Sequence, residues 1–107
     1  MAKNKETIIQ EAIIKDLQGR KIYVERDTSS NNYGGSDLRV CYRGFWVALE
    51  VKTETGKPTQ IQERKIKIIQ NAGGFGGLVT SIIDVNFILD QVDKQADKIW
   101  MYDDLSK

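Results

Sequence analysis

Leu38-Arg39-Val40-Cys41-Tyr42-Arg43-Gly44-Phe45-Trp46-Val47-Ala48-Leu49-Glu50-Val51-Lys52 is the stretch that decides the fold. Leu38, Val40 and Tyr42 alternate with Arg39, Cys41 and Arg43, and after Gly44 the alternation resumes as Phe45, Val47, Leu49 and Val51 against Trp46, Ala48, Glu50 and Lys52. A period of two broken by glycine predicts two strands of a hairpin turning at Arg43-Gly44. Counted back from that turn, Asp37 faces Glu50. Facing side chains in an antiparallel pair have Cβ atoms roughly 4.5–5.5 Å apart, and like charges there destabilise the sheet. A divalent cation held between the carboxylates offsets that repulsion, and oxygen-rich surroundings suit Mg2+, with Mn2+ as a substitute. Lys52 projects from the same face as Glu50, whereas Val47, Leu49 and Val51 point to the core. Such a grouping suits phosphodiester hydrolysis: a metal ion polarises the phosphoryl oxygen and activates water, and an ammonium stabilises the developing charge. The same residues also read more plainly, with Asp37 in a loop and Glu50 in a surface ion pair with Arg39 or Lys52.

Outward from the hairpin, Ile9, Ile13, Ile14 and Leu17 recur at helical spacing over residues 5–18, and Gly19 is a stop signal. Lys21 to Glu25 reads as a short strand, and the polar stretch Asp27 to Ser36 as a mobile loop. After Gly56, Lys57 and Pro58, Thr59 opens a second helix reaching about Ala72. Gly73 to Gly77 ends it as a cap and turn, Leu78 to Ile82 forms a strand, and Asp84 begins a last helix of about ten residues. Lys98 to Tyr102 reads as a terminal edge strand. The order α, β, β, β, α, β, α, with that last strand optional, predicts the α/β class, one mixed sheet flanked by helices. Trp46, beside Cys41 in the hairpin, is expected to pack against the protein.

Composition narrows the chemistry. The chain has 107 residues, no histidine, one cysteine and one proline, so it is expected to be one domain over 1–107. Without histidine there are no Ser-His-Asp or Cys-His arrangements and no HExxH zinc site; one cysteine excludes zinc fingers and disulfide frameworks. The longest apolar run is Phe45 to Leu49 and charges fill the first twenty residues, so no membrane span or secretory signal is expected and the chain reads as cytoplasmic. Residues 39–67 hold seven basic side chains against three acidic ones, whereas 84–107 hold six acidic against three basic. A basic middle suits a phosphate backbone, and it equally suits a solvated helix face.

Several motifs in order resemble a known family. Gly35-Ser36-Asp37, twelve intervening residues and Glu50-Val51-Lys52 look like the PD-(D/E)XK nuclease signature, with serine in the usual proline position. Gly56-Lys57-Pro58-Thr59-Gln60-Ile61-Gln62 is similar to the G-x-x-[ST]-x-x-Q segment of the VRR-NUC branch, and Glu6-Thr7-Ile8-Ile9-Gln10 to its opening E-x-x-I-Q. The Val-Arg-Arg triplet that names the branch is absent; the corresponding strand reads Leu78-Val79-Thr80-Ser81. The resemblance implies a restriction endonuclease-like core in which Asp37, Glu50, the Val51 carbonyl and Glu6 bind the metal. Lys52 would orient water or stabilise the transition state, Gln62 would support the site from the second helix, and Gln10 from the first. Glu6 and Gln10 share a helix face with Ile13 and Leu17, whereas Glu11 points about 100° away. Both also suit plain polar positions on a half-buried face.

Two readings stand for Gln62, since Thr59-x-x-Gln62 is also a capping box. Lys57, Arg64, Lys65 and Lys67 are candidate phosphate contacts or solvated helix charges. The leading expectation is a Mg2+-dependent DNA endonuclease acting on branched DNA such as a Holliday junction, as a homodimer. The alternative is a non-catalytic nucleic-acid-binding module with a nuclease-like fold.

Overall fold

The computed structural model describes residues 4–27 and 36–106, and for 36, 37 and 100–106 it describes the backbone alone. Helix α1 (Lys5–Gly19) starts at Asn4, whose Oδ1 accepts from the Thr7 N–H at 2.7 Å, and it buries Gln10, Ile13 and Leu17. Three strands follow: β1 (Tyr23–Arg26), β2 (Ser36–Tyr42) and β3 (Phe45–Val51). Residues 28–35, the bulk of the expected loop, lie outside the described residues. Helix α2 (Gln60–Asn71), strand β4 (Phe75–Val79) and helix α3 (Ile82–Ser106) complete the chain. Among the described residues no helix is long and apolar enough to cross a membrane.

The sheet order is β1-β2-β3-β4, antiparallel through β3 and then parallel where β4 joins it. Arg43 (φ 52) and Gly44 (φ 84) both take left-handed backbone, the type I′ geometry of a tight hairpin, which fixes the register pair by pair. Arginine is an unusual occupant of the first such position, and its guanidinium is held from α3, by Asp93 at 3.1 Å and Asp97 at 3.0 Å. Leu38, Val40, Val47, Leu49 and Val51 form one buried face of the sheet, covered by Ile13 and Leu17 of α1 and by Val85, Leu89 and Val92 of α3. Helix α2 lies on the opposite face.

Three expectations need correction. Strand β4 begins at Phe75, inside the glycine run, and ends at Val79, three residues before the expected end at Ile82. Glycine weakens a strand by propensity and is kept where another backbone approaches closely. A Cβ at Gly76 would lie 2.9 Å from the Ala48 carbonyl oxygen, and one at Gly74 would lie 2.8 Å from Ile69 Cγ2 of α2. The expected strand at Lys98 to Tyr102 is helical: Val85, Leu89, Val92 and Ala96 are buried at helical spacing, and α3 continues through to Ser106. The first strand is also displaced by about two residues, to Tyr23–Arg26, because Lys21 (φ 60) still belongs to the turn out of α1.

The Tyr42 hydroxyl donates to Asp93 Oδ1 at 3.0 Å, tying the hairpin to α3. Burial, and then the bond to Asp93, hold the phenol above its usual value of 10.0. A raised phenol contributes stability that is present below the unfolded value and lost as pH climbs through the folded one. Tyr42→Phe should therefore cost about 1 kcal/mol in urea unfolding at pH 7 to 9, and the gap to wild type should narrow above pH 10.

Candidate active site

Glu50 and Lys52 alternate with the core residues of β3, so they project from the face opposite the apolar layer. The register sets Asp37 of β2 opposite Glu50, as the hairpin count requires. Tyr42 and Phe45 close the turn, and the alternation of hydrogen-bonded and open pairs outward from them makes Asp37↔Glu50 an open pair. This is the class in which facing residues come closest, Cα atoms roughly 4.5 Å apart. The Lys52 N–H donates to the Val79 carbonyl of β4 at 3.0 Å. Across the same trans peptide the Val51 carbonyl points the other way, toward β2, where the register pairs Val51 with Ser36.

Both charged side chains here are buried: Glu50 of β3 is 4% exposed and Lys52, the residue after the strand, 6%. Ions withdrawn from water cost several kcal/mol each unless they find partners. Glu50 Oε1 accepts from Gln62 Nε2 at 2.6 Å and stands 4.0 Å from Lys52 Nζ. The surface ion-pair reading of Glu50 is thereby excluded.

Gln62 satisfies both of its readings at once. Its Oε1 accepts from the Thr59 N–H at 2.8 Å while Thr59 Oγ1 accepts from the Gln62 N–H at 3.1 Å, which completes a capping box at the start of α2. The other end of the amide, Nε2, is what reaches Glu50. A primary amide can do this because one end only accepts and the other only donates. The cap thus fixes the direction of the donor that holds the carboxylate.

The remaining candidates are placed more loosely. On α1, Gln10 is buried and Glu6 half-buried, yet among the described residues neither hydrogen-bonds to Glu50, Lys52 or Gln62. Lys57, Arg64 and Lys67 are exposed, and Lys65 pairs with Asp27 at 3.3 Å. Among the described residues no three acidic, histidine or cysteine side chains gather as a metal site; the Asp37 side chain lies outside those described. A cleft of about 340 Å³ adjoins the end of β3, lined by Lys5, Ile9, Thr53, Glu54, Thr55 and Thr80.

The donor set on this face consists of a buried carboxylate, a backbone carbonyl turned toward β2 and a second acidic position across the open pair. Against solved structures, the chain matches a VRR_NUC domain with a TM-score of 0.67 and 24% sequence identity, over 82% of this chain and 97% of that one. The chain has the VRR_NUC fold. No protein-family model matches the sequence, and no curated protein does. Within the VRR_NUC fold, the α/β class and the restriction endonuclease-like core expected from the sequence are both found.

Two features of this VRR_NUC fold escaped the sequence reading. Asp27 follows the last β1 pair, Arg26↔Leu38, so it comes one step on, at the level of Asp37. The signal was the polar alternation of Tyr23, Glu25 and Asp27, which continues past the strand into what reads as loop. Trp46, expected to pack, is 51% exposed, because α2 covers the β3–β4 side of this face and not the hairpin end.

Gln62→Glu separates the two duties of that side chain. Glutamate keeps the capping box but replaces the donor by a second carboxylate beside Glu50. The variant should unfold about 1–3 kcal/mol more easily than wild type in metal-free urea titrations at pH 7.

Proposed function

We propose that the chain is a metal-dependent endonuclease hydrolysing DNA phosphodiesters, with Mg2+ as cofactor and Mn2+ able to replace it. The observation that carries this reading is the buried Glu50 carboxylate, held by Gln62 and Lys52 and paired in register with Asp37. Hard divalent cations take oxygen ligands, and the Glu50 and Asp37 carboxylates with the Val51 carbonyl supply that chemistry. Glu6 would complete the ligand set, and Gln10 would support it from α1. A bound cation would polarise a non-bridging phosphoryl oxygen and lower the pKa of a water.

Each residue then has a defined task. Lys52 orients the attacking water and compensates charge building on the phosphoryl oxygens. Gln62 keeps the Glu50 carboxylate in one orientation, so that its oxygen does not turn away when substrate arrives. The water oxygen forms the new bond to phosphorus and releases its proton to solvent, the bond to the 3′ oxygen breaks, and the leaving oxygen takes up a proton from solvent. Products are a 5′-phosphate and a 3′-hydroxyl. Lys57, Arg64, Lys65 and Lys67 contact backbone phosphates.

Branched DNA, Holliday junctions first, is the substrate class we assign, and a homodimer the working form, since two sites are needed to cut symmetry-related strands. Exposed Leu78, Ile83 and Phe87 flank the open edge of β4 and offer an apolar surface for self-association. A cytoplasmic location is the one we assign to this activity.

End-labelled four-way junction and matched linear duplex, incubated with Mg2+, Mn2+ or EDTA, test the reading. Junction cleavage should require metal, and Lys52→Ala should lower kcat by about 10²–10³. Asp37→Asn should abolish cleavage while making the metal-free protein more stable to urea, through relief of like-charge repulsion. Binding without cleavage under every metal condition would instead mark a non-catalytic DNA-binding module.

A further inference from the structure

Asp27 and Lys65 come from opposite sides of the catalytic face. Asp27 follows β1 at the sheet's outer edge, whereas Lys65 stands on α2 one turn after Gln62, the residue that holds Glu50. Residues three apart on a helix are neighbours on its surface, so Gln62 and Lys65 share a side of α2. Their contacts run to the same end of the sheet: Gln62 to Glu50 on β3, Lys65 to Asp27 beyond β1. The position between those strands belongs to Asp37, one step from the Arg26↔Leu38 pair on one side and opposite Glu50 on the other.

The pair is unequal in burial. The Asp27 side chain is 9% exposed and that of Lys65 45%, with Nζ 3.3 Å from Oδ2. A carboxylate withdrawn from water beside a half-open ammonium is suited to hold that ammonium in place, since the cation is the member that a polyanion can reach. Arg39, in the neighbouring row, is already engaged by Glu25 at 3.0 Å. The Lys65 ammonium therefore stands at the β1 end of the row formed by the Asp27, Asp37 and Glu50 positions.

We propose that Asp27 is a positioning residue that anchors Lys65 as the contact for the phosphate adjacent to the cleaved one. This rests on the nuclease reading and deepens it. The sign of one substitution separates the idea from simple electrostatics. Removing an acidic charge from a DNA-facing surface strengthens binding by relieving repulsion, whereas removing the anchor of a phosphate-binding lysine weakens it.

The test is fluorescence anisotropy of labelled four-way junction and duplex DNA across a salt series, with Ca2+ in place of Mg2+ to separate binding from turnover, followed by kinetics in Mg2+. Lys65→Ala should weaken binding about five-fold at 0.15 M salt and lower the slope of log Kd on log salt by about one. Asp27→Asn should weaken binding to a similar extent, the double variant should be no weaker than Lys65→Ala, and Asp27→Glu should retain affinity. KM should rise in both single variants while kcat at saturating DNA stays unchanged. Tighter or unchanged binding by Asp27→Asn, or additive losses in the double variant, overturns the anchor and leaves the nuclease reading intact. Failure of the wild-type chain to bind DNA overturns both. Should Asp27→Asn not fold, an unchanged salt slope in Lys65→Met overturns the proposal by itself.

Discussion

From Val47 onward strand β3 is buried on both faces, and only one of them is wholly apolar. Val47, Leu49 and Val51 face a hydrocarbon layer built from α1 and α3, whereas Glu50 and Lys52 are as deeply enclosed with charges on them. Hydrophobic burial explains the first face. The second has to be satisfied group by group, because an unpaired carboxylate or ammonium there would cost more than a whole side chain of apolar contact returns. Much of what lies on the α2 side of the sheet answers that requirement: the capped start of α2, the direction of the Gln62 amide, and the Lys52 backbone bond to β4.

The glycines at the start of β4, Gly74 just before it and Gly76 within it, belong to the same solution. Helix α2 must come close enough for a side chain as short as glutamine to reach β3. Gly74 permits this, since a Cβ there would lie 2.8 Å from Ile69 Cγ2 of α2, whereas a Cβ at Gly76 would meet the Ala48 carbonyl oxygen of β3 at 2.9 Å. Glycine at the start of a strand is a poor choice by propensity and a good one by distance. Close packing at one end of α2 and a hydrogen-bonded cap at the other together fix where Gln62 stands.

This division also explains what was legible in the sequence. Alternation around Arg43-Gly44 specified both strands, their turn and their register down to Asp37 opposite Glu50, because a period of two leaves little freedom once one face is buried. Thr59 and Gln62 marked the start of α2 for the same local reason. What could not be read depended on approach between distant segments. Nothing local shows that Phe75-Gly76-Gly77 is strand, since its reason lies in Ile66, Ile69 and Ala48. Lys98 to Tyr102 carries its own strand-like pattern, and only continuity with Val85, Leu89, Val92 and Ala96 makes it helix. At the site, Glu50, Lys52 and Gln62 were recognisable as motif members, whereas the place of Asp27 required the β1–β2 register.

The clamp of Arg43 and Tyr42 on Asp93 bears on how the chain is made. Strands β1 to β3 pair between neighbours in sequence and form early. Their apolar face is roofed in large part by α3, which supplies Val85, Leu89 and Val92. During synthesis that face stays open until α3 has left the ribosome, so the meander waits as an uncovered hydrophobic sheet, the state most open to chaperones and to misassembly. Completion of the fold, and with it the fixed geometry around Glu50, thereby waits on the last helix of the domain to emerge.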